Sequence, residues 1–124
     1  ADIVAVSIPH TRATTRMFDA EAFAAMKASA FFFNIGRGGT VDEAALCRAL
    51  REGQIAGAGL DVFSEEPLPE SSPLWQAPNL IMTPHVGGMH ERIYESFLEA
   101  AFENIERFGA GEPLNNVVDK RAGY

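Results

Sequence analysis

The sequence is poor in cysteine, in basic residues and in long apolar runs. Cys47 is the single cysteine among 124 residues, which excludes an intrachain disulfide and fits a reducing compartment. Ten Lys and Arg stand against seventeen Asp and Glu, a formal net charge of −7. No basic stripe gathers those ten, so a nucleic-acid partner is not expected. No apolar run reaches membrane-spanning length, and the opening residues carry no signal-like pattern. A cytoplasmic protein without a membrane partner is the expectation. The histidines His10, His85 and His90 and the lone cysteine lack metal-site spacing, so no metal is expected. No serine lies in a G-x-S-x-G setting. Internal repeats and low-complexity segments are absent. An initiator Met is lacking too; the chain opens on the strand-like stretch "DIVAVSI", and a piece of a longer protein is expected.

What is present suits a packed domain: 47% hydrophobic and 22% charged residues. Short apolar runs predict strands at Ile3–Ile8, Ala30–Ile35, Ile55–Phe63 and Leu80–Met82. Between them fall helical patterns. Asp19 can cap a helix over Ala20–Lys27, and Asp42 or Thr40 can cap one that carries Leu46 and Leu50 and closes at Gly53. Ser64–Pro78 reads as a proline-rich loop. A long helix is predicted over about residues 91–108, with a Glu103–Arg107 pair and Gly109 at its end. The order β-α-β-α-β-loop-β-α, with uniformly apolar strands, predicts an α/β domain. Its parallel, doubly wound sheet would be covered on both faces. The small residues of "IAGAGLDVF" would let a helix come close.

Such sheets bind ligands at the carboxyl ends of their strands. Four features fall there: Pro9, Gly36-Arg37-Gly38, Asp61 to Glu66, and Pro84-His85. Arg37 between glycines could fork onto a carboxylate, or the glycines could cradle a phosphate. An isolated loop arginine is ordinarily just solvated, and the glycine motif alone does not choose. Gly36 and Gly38 would supply unusual backbone angles and close ligand approach; Gly87 and Gly88 would do the same after His85. His85 can move a proton near neutral pH, and Glu66 offers a carboxylate to orient its ring. Asp61 ends an apolar strand, where a bare carboxylate is costly without a partner. Cys47, beside Leu46, reads as packing, and Trp75 as a loop anchor.

The stretches "NIGRGGTVDEAAL", "GAGLDVFSEEPLP", "SPLW" and "TPHVGG" follow one another in an order and spacing that resemble the D-isomer-specific 2-hydroxyacid dehydrogenases. The tail "VDKRAGY" is similar to the glyoxylate/hydroxypyruvate reductase branch. The resemblance implies a hydride-transferring oxidoreductase that uses NAD or NADP on a small 2-oxo acid, working as a homodimer. It implies that residues 1–89 are the C-terminal half of a Rossmann NAD(P)-binding domain. Residues 90–124 would be a crossover helix and tail returning to a substrate domain. It further implies that Arg37 binds the substrate carboxylate, that His85 is the acid/base and that Glu66 is its partner. Asp61 would meet the nicotinamide end, and Ser7, Pro9 and Ile35, with Gly36 and Gly87, would line the cofactor site. Two departures stand out: the G-x-G-x-x-G loop and its downstream acidic residue are not in the sequence, and "PHT" replaces the frequent "PLT". Non-catalytic C-terminal-binding-protein corepressors, which resemble the same dehydrogenases, are the alternative.

Overall fold

A computed structural model describes residues 1–124. The apolar runs form β1 (Ile3–Val6), β2 (Phe31–Asn34), β3 (Gly57–Leu60) and β4 (Leu80–Met82). They join in one parallel sheet in sequence order. Val6 pairs with Asn34, Asn34 with Leu60, and Leu60 with Met82. The four carboxyl ends are therefore level, and the loops that follow them leave from one edge. β1, β2 and β3 are shorter than their apolar runs, with Ile55, for example, buried ahead of β3, while β4 matches its run.

Helices α1 (Ala20–Ala24) and α2 (Glu43–Arg51) connect the first three strands. Asp19 Oδ1 accepts from the N–H groups of Glu21 and Ala22, both at 3.0 Å. Asp42 Oδ1 accepts from Ala45 N–H at 2.9 Å, so Asp42 is the cap of α2 and Thr40 is not. Helix α1 stops three residues before Lys27. Both helices and the core lie on one face of the sheet. Phe23 of α1 meets Phe32 of β2 edge-on at 5.2 Å, and Leu46, Leu50 and Cys47 of α2 close over Val6, Ala58 and Leu60. Burial of a side chain such as Leu46 contributes about 1.5–3 kcal/mol, and Leu46→Ala, which leaves a cavity as well, would cost about 2–5 kcal/mol. The Cys47 thiol is buried, which raises its pKa and keeps it unreactive.

The other face is the open one in these 124 residues. Ile3, Phe31 and Ile81 stand exposed there, Ile81 at 73%. Parallel strands in sequence order, joined by right-handed crossovers, send every connecting helix to the same side. The small residues of β3 have a different use from the one expected. A Cβ at Gly57 would lie 3.1 Å from the Phe31 ring, and one at Gly59 would lie 2.7 Å from the Phe33 ring. The glycines accommodate phenylalanine rings from the adjacent strand, not a helix.

The chain divides into two compact units, Ala1–Gly87 and Gly88–Tyr124. The second consists of α3 (Ile93–Ala110) and the tail. Arg107 pairs with Glu103 at 3.2 Å. The helix runs past Gly109 and ends at Gly111, whose φ of 71° is left-handed. Glu112 N–H reaches back to the Arg107 carbonyl at 2.9 Å, the bond pattern that follows a left-handed glycine cap. No side chain of α3 is buried; Phe97, Phe102, Ile105 and Phe108 are all exposed.

Candidate active site

The site is assembled from the loops after β2, β3 and β4. The β2 strand ends at Asn34, which is fully buried. Its side-chain Oδ1 accepts from Gly36 N–H at 3.0 Å, and its Nδ2 donates to the Arg37 carbonyl at 3.1 Å. Residues 38–40 then form a single 3-10 turn. The Thr40 hydroxyl donates to the same Arg37 carbonyl at 2.7 Å.

The glycines around Arg37 are explained by chain-to-chain contact. A Cβ at Gly36 would lie 2.8 Å from the Ile8 carbonyl oxygen, and one at Gly38 would lie 1.9 Å from the Phe63 carbonyl carbon. At Gly39 it would strike the His10 ring at 2.4 Å. None of the three has left-handed backbone, so the unusual angles expected of Gly36 and Gly38 are not found. The close approach they permit is to the β1 and β3 loops. Gly38 brings the Arg37 loop hard against Phe63, three residues before Glu66. Glu43, at the start of α2, adds a second tie by accepting from Ser64 N–H at 2.7 Å.

His85 and Glu66 come together across that junction: His85 Nδ1 lies 2.7 Å from Glu66 Oε2. The other carboxylate oxygen accepts from Phe63 N–H at 2.8 Å. Glu66 is thus held from two sides, and the Nε2 side of the imidazole is left free. The hydrogen bond to His85, then the one from Phe63 N–H, with the nearby Arg37 charge adding a smaller effect, hold the Glu66 carboxyl below its ordinary pKa. Arg37 itself is exposed, and its Nη1 donates only to the Gly36 carbonyl, at 2.7 Å.

His85 has a left-handed backbone, φ 55°, a conformation uncommon outside glycine. Asp61 accounts for it. This carboxylate, 5% exposed, accepts from the Thr83 hydroxyl, from Val86 N–H at 2.9 Å and from Gly87 N–H at 2.7 Å. It clamps the segment on both sides of His85. A Cβ at Gly87 would lie 2.8 Å from Asp61 Oδ2, so Gly87 is the residue that lets the clamp close. Burial alone would raise the Asp61 pKa; the three donors outweigh it and leave the carboxyl below its usual range.

Ser7, Pro9 and Ile35 lie at the same edge after β1 and β2, all exposed, Ile35 at 59%. A cavity of about 600 Å³ opens beside the His85–Glu66 pair, walled by Phe63, Leu68, Trp75 and Met82. Trp75 anchors its loop through Nε1–H to the Pro69 carbonyl at 2.9 Å, while its neighbour Leu74 is the one buried. Sequence reasoning gave no part in the site to Asn34, Thr40, Glu43 or Thr83. The one available signal was Asn34, a polar residue that closes a run of three phenylalanines.

A parallel α/β sheet whose polar groups converge at its carboxyl edge is the arrangement of a Rossmann-like nucleotide-binding domain. Residues 1–87 match the family model for the D-isomer specific 2-hydroxyacid dehydrogenase, NAD binding domain. The chain belongs to this family. It is 47% identical over 119 residues to glyoxylate/hydroxypyruvate reductase B of Escherichia fergusonii, covering 96% of this chain and 37% of that protein. It is 42% identical over 119 residues to glycerate dehydrogenase of Methylorubrum extorquens, covering 94% and 38%. A crystal structure of a D-isomer specific 2-hydroxyacid dehydrogenase from Xanthobacter autotrophicus Py2 in complex with NADPH and MES superposes with a TM-score of 0.90 at 46% identity. It covers all of this chain and 50% of that one. The NADPH-dependent glyoxylate/hydroxypyruvate reductase of Sinorhizobium meliloti, in complex with NADP and sulfate, gives 0.88 at 38% identity, covering 99% and 40%. The chain therefore spans about two fifths of the length of the curated relatives it matches.

Proposed function

We propose that the chain is the catalytic-edge portion of an NAD(P)-dependent D-2-hydroxyacid dehydrogenase that reduces small 2-oxo acids of the glyoxylate/hydroxypyruvate kind. The observation that carries this reading is the 2.7 Å pairing of His85 Nδ1 with Glu66, on the edge that also presents Arg37. The names of relatives given above as NADPH-dependent favour NADP(H) over NAD(H). Exposed Ile35 suits the flat, weakly polar face of a nicotinamide. Ser7, Pro9 and Ile35, with the backbone at Gly36 and Gly87 and the carboxylate of Asp61, are the groups that would hold it. When bound, the reduced cofactor supplies the hydride.

The chain's own residues do the rest. Arg37 forks onto the substrate carboxylate, which fixes the 2-oxo group in orientation. His85 presents Nε2 to the carbonyl oxygen and gives up a proton as negative charge grows there. Glu66 accepts from Nδ1, which fixes the tautomer and ring plane and offsets the positive charge of the protonated ring. The same reading includes a homodimer in the cytoplasm. The apolar side chains along α3 support further association, and no helix is long and apolar enough to cross a membrane.

The test is a spectrophotometric assay of the dehydrogenase that contains this chain. Glyoxylate, hydroxypyruvate and pyruvate are each offered with NADPH and with NADH. Turnover of the first two, higher with NADPH, is expected. Cofactor binding without turnover of any 2-oxo acid would instead support the corepressor-like alternative.

A further inference from the structure

The buried polar groups at the end of β2 all point at one place. Asn34 and Thr40 are both fully buried, yet neither bonds into the core through its side chain. Asn34 Oδ1 takes Gly36 N–H at 3.0 Å; its Nδ2 gives to the Arg37 carbonyl at 3.1 Å and to Thr40 Oγ1 at 3.4 Å. Thr40 Oγ1 gives to the Arg37 carbonyl at 2.7 Å, and Thr40 N–H reaches it at 3.2 Å. One carbonyl oxygen thus accepts from three donors. A carbonyl has two lone pairs, and most buried carbonyls accept one or two bonds. The main chain at Arg37 is therefore fixed by three separate donors.

The side chain above it is the opposite. Arg37 is exposed, and its guanidinium makes one bond, to the neighbouring Gly36 carbonyl. A solvated loop arginine needs no such anchoring of its stem. An arginine that must meet a small planar anion does need it. Rigid placement of the Cα removes part of the ordering cost of binding, and displacements of about 1 Å can cost on the order of a hundredfold in rate.

We propose that Asn34 and Thr40 are positioning residues for the substrate: they lock the backbone from which Arg37 projects and so set the affinity of the site for the carboxylate of the 2-oxo acid. This rests on the reading of Arg37 as the carboxylate anchor. They touch neither substrate nor cofactor and act through Arg37.

The test uses steady-state kinetics on the dehydrogenase that contains this chain, with glyoxylate and NADPH. Thr40→Val keeps the shape and removes the hydroxyl. It should raise KM for glyoxylate about tenfold while KM for NADPH moves less than about twofold, and Thr40→Ser should restore the wild-type value. In an Arg37→Ala background, Thr40→Val should have no further effect on KM, because the group it positions is gone. Asn34→Ala should act in the same direction; should it fail to fold, the Thr40 series carries the test alone. If Arg37→Ala raises KM but Thr40→Val does not, or if the two effects add, the positioning role is overturned while the anchor reading stands. If Arg37→Ala itself leaves KM unchanged, the anchor reading has failed, and the positioning role falls with it.

Discussion

At the scale of single residues, the proposed function separates groups that would do chemistry from groups that hold them. On that proposal His85 is of the first kind. His85→Gln removes the proton donor but keeps much of the ring's volume. Turnover should fall by roughly 10²–10⁴, with NADPH affinity, read by fluorescence titration, changing little. Turnover near the wild-type value would refute the acid/base role. Arg37→Lys keeps the charge and loses the fork, so kcat/KM for glyoxylate should drop steeply; an unchanged kcat/KM would return Arg37 to the status of a solvated loop residue. Gly38 belongs to the second kind. Its Cβ position lies 1.9 Å from backbone at Phe63, and backbone cannot swing aside as a flexible side chain can. Gly38→Ala should destabilise the fold by about 3 kcal/mol or more, seen as a lowered thermal midpoint, whereas Gly53→Ala, at an exposed left-handed turn with open space around it, should cost less.

At the scale of elements, the link that matters runs from β3 to the segment after β4. Asp61 stands at the end of β3 and binds both amides that follow His85. Its carboxyl titrates below the ordinary value in the folded chain, and Glu66 does likewise. A depressed folded pKa contributes stability above the unfolded value of about 3.9–4.3. That contribution is lost as the pH falls through the folded pKa. The thermal midpoint should therefore hold from pH 7 to about 5 and decline below about pH 4. Asp61→Asn should lower the midpoint at pH 7 and flatten the acid decline; an equally steep decline in the variant would show that Asp61 is not its source. The cap of α2 gives a smaller, separate effect: Asp42→Ala should cost about 1 kcal/mol, measured by denaturant unfolding, with the His85 segment undisturbed.

At the scale of the whole molecule, two surfaces decide how the 124 residues behave by themselves. The open face of the sheet carries Ile3, Phe31 and Ile81, and the edges of β1 and β4 carry backbone groups with no strand beside them. Unpaired edges and apolar faces recruit other chains. The sequence also contains no G-x-G-x-x-G, the loop that grips a cofactor pyrophosphate in this fold. The chain purified alone should self-associate, bind NADPH weakly and turn over no 2-oxo acid. Light scattering and an NADPH fluorescence titration check this. A monomer that binds NADPH at micromolar strength would show that neither the open face nor the absent loop has the weight given to it here.

How much of this was legible beforehand follows from the range of each interaction. The four strands, the caps Asp19 and Asp42, and the gathering of Arg37, Glu66 and His85 at one edge could be read from the chain. Apolar runs, capping side chains and strand-end positions act over a few residues and leave a local pattern. The end of α3 was misread at Gly109 because two glycines stand two apart, and only the backbone angle at Gly111 tells which one closes the helix. The bare face of the sheet could not be read at all, since which side the crossovers take depends on strand order and not on any strand's composition. The same holds for the glycines beside Arg37 and for Asp61. Sequence pattern determined that glycine and a carboxylate stand at the ends of apolar strands. Only the tertiary structure decided that Gly38 faces Phe63 and that Asp61 faces the amides after His85, because these partners lie about 25 residues apart in the chain and meet only once the parallel strands are in register.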